Sequence, residues 1–386
     1  MRRTFIAVAS LVAACLFLPG VAAQKTTAIV RVDVQKLLQA NGIHQPVANL
    51  RALVSDADGT RHGFLIDTGR GISVYRDSVT LYNGAGSACT DEPFLFWMTP
   101  DGHLVFTPDC STLYFDGTVV SSKNLVIKAA RESAVYVGGF LIYPEKTLVK
   151  KFDPSTKKSK ILYSEPGENI LFIRAKGDHV AYTTSSHLGN RIYVDGRKVA
   201  TGIDNPWNFL LLDNGDVYYF SQNGRDFTLW KNDQSFLSAE GHGGFIFADG
   251  RNRVWHVSYQ VLATVAHIYL GYDNYRNVLE DTIANVEGVM AFQGDHFAAR
   301  AQVPKSDNFS LLKDGKFIGD KFEFARGKKD FNGLFFAGNG KVYMRNFNRG
   351  RWYAYEDGKK ILSTVFTNVW LVQERTGGDV AVYGAK

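Results

Sequence analysis

Phe209-Leu210-Leu211-Leu212-Asp213-Asn214-Gly215-Asp216-Val217-Tyr218-Tyr219-Phe220 sets two strand-length apolar runs on either side of a four-residue polar break. Aromatic and aliphatic residues of this kind suit a pleated, half-buried surface. A glycine inside a short polar break supplies the φ > 0 position that a tight hairpin demands. A little further on, Leu229-Trp230-Lys231-Asn232-Asp233 carries a third apolar run into a second turn. The stretch therefore predicts four short antiparallel strands, A to D, with tight turns at A–B and C–D.

The same pattern recurs along the chain. An apolar or aromatic run ending on Asp with a turn partner appears at Val30-Arg31-Val32-Asp33, Val74-Tyr75-Arg76-Asp77 and Leu113-Tyr114-Phe115-Asp116-Gly117. It returns at Lys151-Phe152-Asp153-Pro154, Ile192-Tyr193-Val194-Asp195-Gly196, Leu270-Gly271-Tyr272-Asp273-Asn274, Leu311-Leu312-Lys313-Asp314-Gly315 and Tyr353-Ala354-Tyr355-Glu356-Asp357-Gly358. Successive aspartates lie 37 to 44 residues apart. A second series of turns falls between them, including Asp58-Gly59, Asp101-Gly102, a degenerate Glu132-Ser133, Gly177-Asp178, Asp249-Gly250, Gly294-Asp295, Asn339-Gly340 and Gly378-Asp379.

A four-stranded unit repeated about every forty residues is the signature of a β-propeller. The phrases Gly215-Asp216-Val217-Tyr218-Tyr219 and Ile192-Tyr193-Val194-Asp195-Gly196 are similar to bacterial TolB-like and tricorn-like propeller repeats, with no narrower subfamily signature. The resemblance implies an all-β fold of four-stranded blades. Nine are counted; the number falls to eight if Val34 to Ala40 is helical or the unit near Glu132 is irregular. An N-terminal C–D hairpin around Asp33 is expected to complete the last blade and hide its edge.

The first residues read as an export signal. Met1-Arg2-Arg3 is a basic start, Phe5 to Leu18 is apolar, and Val21 and Ala23 are small residues suited to cleavage before Gln24. Residues 1–23 are thus expected to be a leader and 24–386 a single propeller domain, periplasmic or secreted. Val12-Ala13-Ala14-Cys15 is a lipoprotein alternative, weakened because Leu16-Phe17-Leu18 prolongs the apolar run. No later segment has the ~20 apolar residues of a membrane span. The two remaining cysteines, Cys89 and Cys110, read as a disulfide closing a loop, which on a chain-entropy model adds roughly 3 kcal/mol.

Composition narrows the function. The 386 residues are 45% hydrophobic, 21% charged and 13% aromatic, which excludes a disordered chain. A formal charge of +6, with Arg2 and Arg3 in the leader, is too mild and scattered for a nucleic-acid binder. No G-x-S-x-G, H-E-x-x-H, EF-hand or phosphate-loop pattern occurs, so neither a cofactor nor a metal is implied.

In a propeller the A–B and C–D turns share one face, and the B–C and D–A loops the other. The repeated Asp and Gly residues, with His103, His179 and His296, fall on the turn face as structural residues. The loop face collects Arg225, Arg349, Arg351, His187, His242, His256 and Trp207, a mixture able to grip an anionic or sugar ligand. The reading is an exported binding module for a protein, peptide or glycan, without catalysis. The alternative is a lyase or hydrolase acting on an anionic glycan. It requires His187, His242 or His256 to meet Arg225 or Arg351 within hydrogen-bond reach.

Overall fold

At Asp195-Gly196 both residues take positive φ, 52° and 77°, and this two-residue turn reverses the chain without splaying its strands. The aspartate does more than turn. Its Oδ1 accepts the N–H of Val180 at 2.8 Å, its Oδ2 lies 2.7 Å from Nδ1 of His179, and its own N–H donates to the Val180 carbonyl at 2.9 Å. Asp116 ties Leu104 and His103 in the same way, and Asp314 ties Phe297 and His296. The recurring Asp thus fastens the turn between the third and fourth strands to the start of the second. The three histidines take part in that tie on separate sheets.

The computed structural model describes residues 27–85, 95–109, 112–122, 134–249, 251–262, 265–272, 286–303, 306–323 and 334–386. Strand β1 (Ile29–Asp33) and helix α1 (Val34–Ala40) come first. Sheet 1 holds β2 to β5 (Leu50–Ser55, His62–Asp67, Gly71–Arg76, Val79–Ala85). Sheet 2 holds β6 to β9 (Phe96–Met98, Leu104–Phe106, Leu113–Phe115, Thr118–Ser121). Sheet 3 holds β10 to β13 (Val135–Val137, Phe140–Glu145, Leu148–Asp153, Lys158–Ser164). Sheet 4 holds β14 to β17 (Asn169–Lys176, His179–Ser186, Gly189–Val194, Arg197–Thr201). Sheet 5 holds β18 to β21 (Phe209–Leu211, Val217–Asn223, Asp226–Lys231, Gln234–Glu240). Sheet 6 has three described strands, β22 to β24 (His242–Ala248, Val254–Leu262, Val265–Tyr272). Sheet 7 holds β25 to β28 (Val286–Gln293, His296–Gln302, Phe309–Lys313, Lys316–Phe322). Sheet 8 holds β29 to β32 (Leu334–Phe336, Val342–Asn348, Arg351–Glu356, Lys359–Ile361). Sheet 9 pairs β33 (Asn368–Glu374) with β34 (Val380–Ala385) and adds β1 beside β34.

Alternating side chains bind each sheet to two neighbours. In β15, Val180 and Tyr182 pack toward sheet 3, while Ala181 packs toward sheet 5. Among the described residues, nine apolar clusters each join two sheets. One of them sets Leu371, Ala381 and Tyr383 of sheet 9 against Leu50, Leu53, Phe64 and Ile66 of sheet 1.

The N-terminus departs from expectation. Instead of a hairpin, β1 lies parallel to β34, with Ile29 opposite Val380; Val34–Ala40 is helical, yet a ninth sheet remains because β1 takes the hairpin's place beside β34. Asp33 is not a turn residue there but the helix cap, its carboxylate accepting the N–H of Lys36 at 3.1 Å. Val34 and Leu38 of α1 are fully buried in the cluster between sheets 9 and 1, each contributing about 2 kcal/mol by leaving water. A second correction concerns sheet 3. Its first hairpin turns at Gly138-Gly139 (φ 56° and 81°), not at Glu132-Ser133, which lie outside the described residues. Asp273-Asn274, Cys89 and Cys110 also lie outside them.

Candidate functional site

In the four-stranded sheets, antiparallel order puts the first and third turns at one end of the strands and the opening end of the first strand at the other, the loop face. Here lies a cavity of about 480 Å³. Its walls are the loop-face ends of strands from four sheets: Leu50 opens β2, Phe96 opens β6, Trp352 is second in β31, and Asn368 opens β33. Trp370, Arg345 and Arg51 complete the polar and aromatic lining.

Arg345 is only 6% exposed. Its guanidinium stacks 4.2 Å from the ring centroid of Trp352, donates to the Trp370 carbonyl, and reaches the Val369 carbonyl at 3.5 Å. Arg300, buried in β26, donates to the Arg345 carbonyl at 3.4 Å, and Trp370 Nε1 donates to the Leu50 carbonyl at 3.5 Å. A run of hydrogen bonds therefore crosses sheets 7, 8, 9 and 1 and fixes the cavity wall. At its rim Arg51 pairs with Asp67. That bond, followed by the Gly69 N–H, holds the Asp67 carboxyl below the usual carboxylate range.

Arg349 and Arg351 lie on the loop face just before Trp352 in sequence, outside the cavity lining. Arg349 (φ 49°) and Gly350 (φ 82°) form the β30–β31 turn, and Arg351 pairs in register with Asn348. Both arginines are exposed, and the Arg349 N–H donates to Glu323 at 3.2 Å. Trp352, next in sequence, turns inward, its N–H held by Asn368 Oδ1 at 3.0 Å.

The other expected residues lie in a different sector. Trp207, 53% exposed, sits between sheets 4 and 5, its carbonyl held by Arg174 at 3.2 Å. The Arg225 carbonyl accepts the N–H of Gly241 at 2.7 Å, which brings the exposed His242 beside the Arg225 turn. His187 is exposed on the β15–β16 turn. His256, expected on the loop face, is instead an interior residue of β23 with no exposed surface. Burial alone pushes its pKa down to about 4. Strands β23 and β24 pair antiparallel from Trp255 opposite Tyr272 to Leu262 opposite Val265, which puts His256 inside a sheet rather than on the loop face. His242 stands beside the Arg225 turn, whereas His256 is buried within its sheet.

Sequence reasoning missed two features. Arg345 and Arg300 interrupt the apolar runs Val342-Tyr343-Met344 and Phe297-Ala298-Ala299, a visible signal that marks buried cations. Glu168 is the other: only 8% exposed on the loop side of sheet 4, it bonds Thr184, ion-pairs with Arg191 and accepts from Tyr193 at 3.3 Å. A carboxylate satisfied by three neighbours anchors a loop rather than reacting. Among the described residues no group of three His, Cys, Asp or Glu side chains is placed to hold a metal ion. No helix there is long and apolar enough to cross a membrane.

No family model and no curated protein matches the chain. Solved structures do. A eukaryotic initiation factor matches at 10% identity over 82% of this chain and 90% of its own, with a TM-score of 0.49. The Dos1 propeller matches at 9% identity over 66% and 76%, TM-score 0.39, and a streptogramin B lyase at 10% over 66% and 90%, TM-score 0.34. The described residues form repeated four-stranded antiparallel sheets packed face to face, the architecture of β-propeller repeats.

Proposed function

We propose that the chain is an exported, non-catalytic binding module: a single nine-bladed propeller over residues 24–386 that seats a peptide or glycan ligand in its loop-face cavity. Supporting nine blades and a closed ring are the nine described sheets and the apolar cluster between the last and the first. The leader, cleavage before Gln24 and a Cys89–Cys110 disulfide belong to the same reading and rest on sequence pattern.

One observation carries the binding site. The cavity of about 480 Å³ offers Trp352, Trp370 and Phe96 as flat apolar walls and Arg345 and Arg51 as fixed donors. Concave, largely apolar sites with a few placed polar groups are where small ligands bind. The ligand it fits presents an apolar, aromatic or sugar face to the tryptophans and an anionic or carbonyl oxygen to the guanidiniums.

Thermal unfolding of residues 24–386 against acidic and neutral oligosaccharides, peptidoglycan fragments and aromatic peptides tests this. A ligand at a hundred times its Kd adds about 2.7 kcal/mol of stability, and Trp352→Ala should abolish the shift. A flat response to the whole panel, or a shift unchanged in Trp352→Ala, would remove the cavity from the account.

A further inference from the structure

Some cations on this surface have a carboxylate beside them. Lys231 lies 2.9 Å from Asp216, Lys313 3.1 Å from Asp357 and Lys176 3.5 Å from Asp213. The outer edges of sheets 3 and 4 gather others. Lys157, Lys158 and Lys160 lead into and begin β13, and Arg197 and Lys198 begin β17. All five are exposed, and among the described residues none of them forms an ion pair. Lys160 stands directly opposite Lys151 in the strand register, a like-charge pairing that costs stability. Lys151 places its ammonium over the Phe140 ring at 3.4 Å.

The two basic runs share one rim. β13 and β17 are the outermost strands of neighbouring sheets, and a Cβ added at Gly196, just before Arg197, would meet Tyr163 of β13 at 2.8 Å. Apolar side chains point out along the same circumference. Of the five large apolar residues most exposed among those described, three are on outermost strands of consecutive sheets: Val79 on β5, Val119 on β9 and Ile161 on β13. Ile161, 57% exposed, directly follows Lys160.

Lysine on an edge strand ordinarily blocks edge-to-edge pairing. That explains a charge or two on β13. It does not explain an exposed isoleucine among the cations, which works against such protection.

We propose that this rim, Lys157, Lys158, Lys160, Arg197 and Lys198 with Ile161, docks the protein on an anionic lipid surface. The cations meet headgroup phosphates, and Ile161 enters the interfacial layer, where apolar burial adds to the electrostatic attraction. A soluble polyanion would use the cations but gain nothing from Ile161, so the lipid surface is the occupant the observations favour.

Co-sedimentation of residues 24–386 with phosphatidylcholine vesicles, with and without a third of the lipid as phosphatidylglycerol, tests it. Binding is expected to the anionic vesicles alone and to be lost when salt is raised about tenfold. Each charge removed should weaken partitioning about fivefold, so Lys158→Gln, Lys160→Gln and Arg197→Gln together should cost about a hundredfold. The same charge removed as Lys316→Gln, Lys321→Gln and Lys359→Gln on sheets 7 and 8 should cost far less. Ile161→Ser should weaken vesicle binding about tenfold and leave binding to a soluble sulfated polysaccharide unchanged. No binding, equal loss in the two triple variants, or equal binding by Ile161→Ser would overturn the proposal. The last outcome would leave a site for soluble polyanions.

Discussion

The side-chain amide of Gln373 donates a 2.6 Å hydrogen bond to the carbonyl of Asp56, joining positions 317 residues apart. Beside it the Thr376 N–H donates to the Ala57 carbonyl at 3.0 Å, and the buried Tyr383 hydroxyl lies 3.3 Å from Ser55 Oγ. These bonds and the cluster around Phe64 and Leu371 hold the ninth sheet to the first, and the loop-face cavity spans that seam. Gln373→Ala and Tyr383→Phe should each cost about 1 kcal/mol in urea unfolding, the ordinary net worth of a hydrogen bond. Two variants indistinguishable from the parent would mean that the seam is open in solution.

Acid should weaken the fold before its carboxylates titrate. Burial holds His256 neutral in the folded chain, with a pKa of about 4 against an ordinary 6.5, and desolvation lowers His62 in the same direction. The unfolded chain takes up a proton below about pH 6.5 that folded His256 refuses, so the stability is complete above that pH and is lost as pH falls toward 4. His256 should account for about 2 kcal/mol between pH 7.5 and pH 5. Denaturant midpoints at the two pH values should differ clearly less in His256→Gln; an unchanged difference would refute the assignment.

The turn face is structural. Asp195→Ala loses the tie to Val180 and puts a Cβ-bearing apolar residue at φ 52°, which should cost about 2 kcal/mol. His179→Ala, removing a partly exposed ring, should change stability by no more than about 0.5 kcal/mol, and neither variant should alter ligand binding. A loss of binding in either would move the functional site to this face.

Glu168 should prove an anchor. Its removal as Glu168→Ala strands Arg191 and the Thr184 hydroxyl and should cost about 3 kcal/mol. Calorimetry that finds the parent midpoint would show that the ion pair is dispensable.

Much of this architecture was legible because turn chemistry is local. Asp116-Gly117, Asp195-Gly196, Asp314-Gly315 and Asp357-Gly358 all carry the two positive φ values that their residue types announce. Asp33 was misread because an N-cap and a turn use the same short carboxylate, and only the following Val34 and Leu38, buried one helical turn apart, separate them. The turn at Gly138-Gly139 lacks the aspartate of the repeat and was passed over. For the site, Arg349 and Arg351 were legible as loop cations, whereas Trp352 and Trp370 look like any strand tryptophan. A period of two says that a side chain leaves one side of its strand, not that four sheets leave a gap there.

A crystallographic soak of residues 24–386 with small aromatic and sugar fragments tests the central claim most directly. Fragments should gather between Trp352 and Trp370, within hydrogen-bond reach of Arg345 or Arg51. Fragments on the turn face or around Trp207, with that cavity empty, would contradict the account.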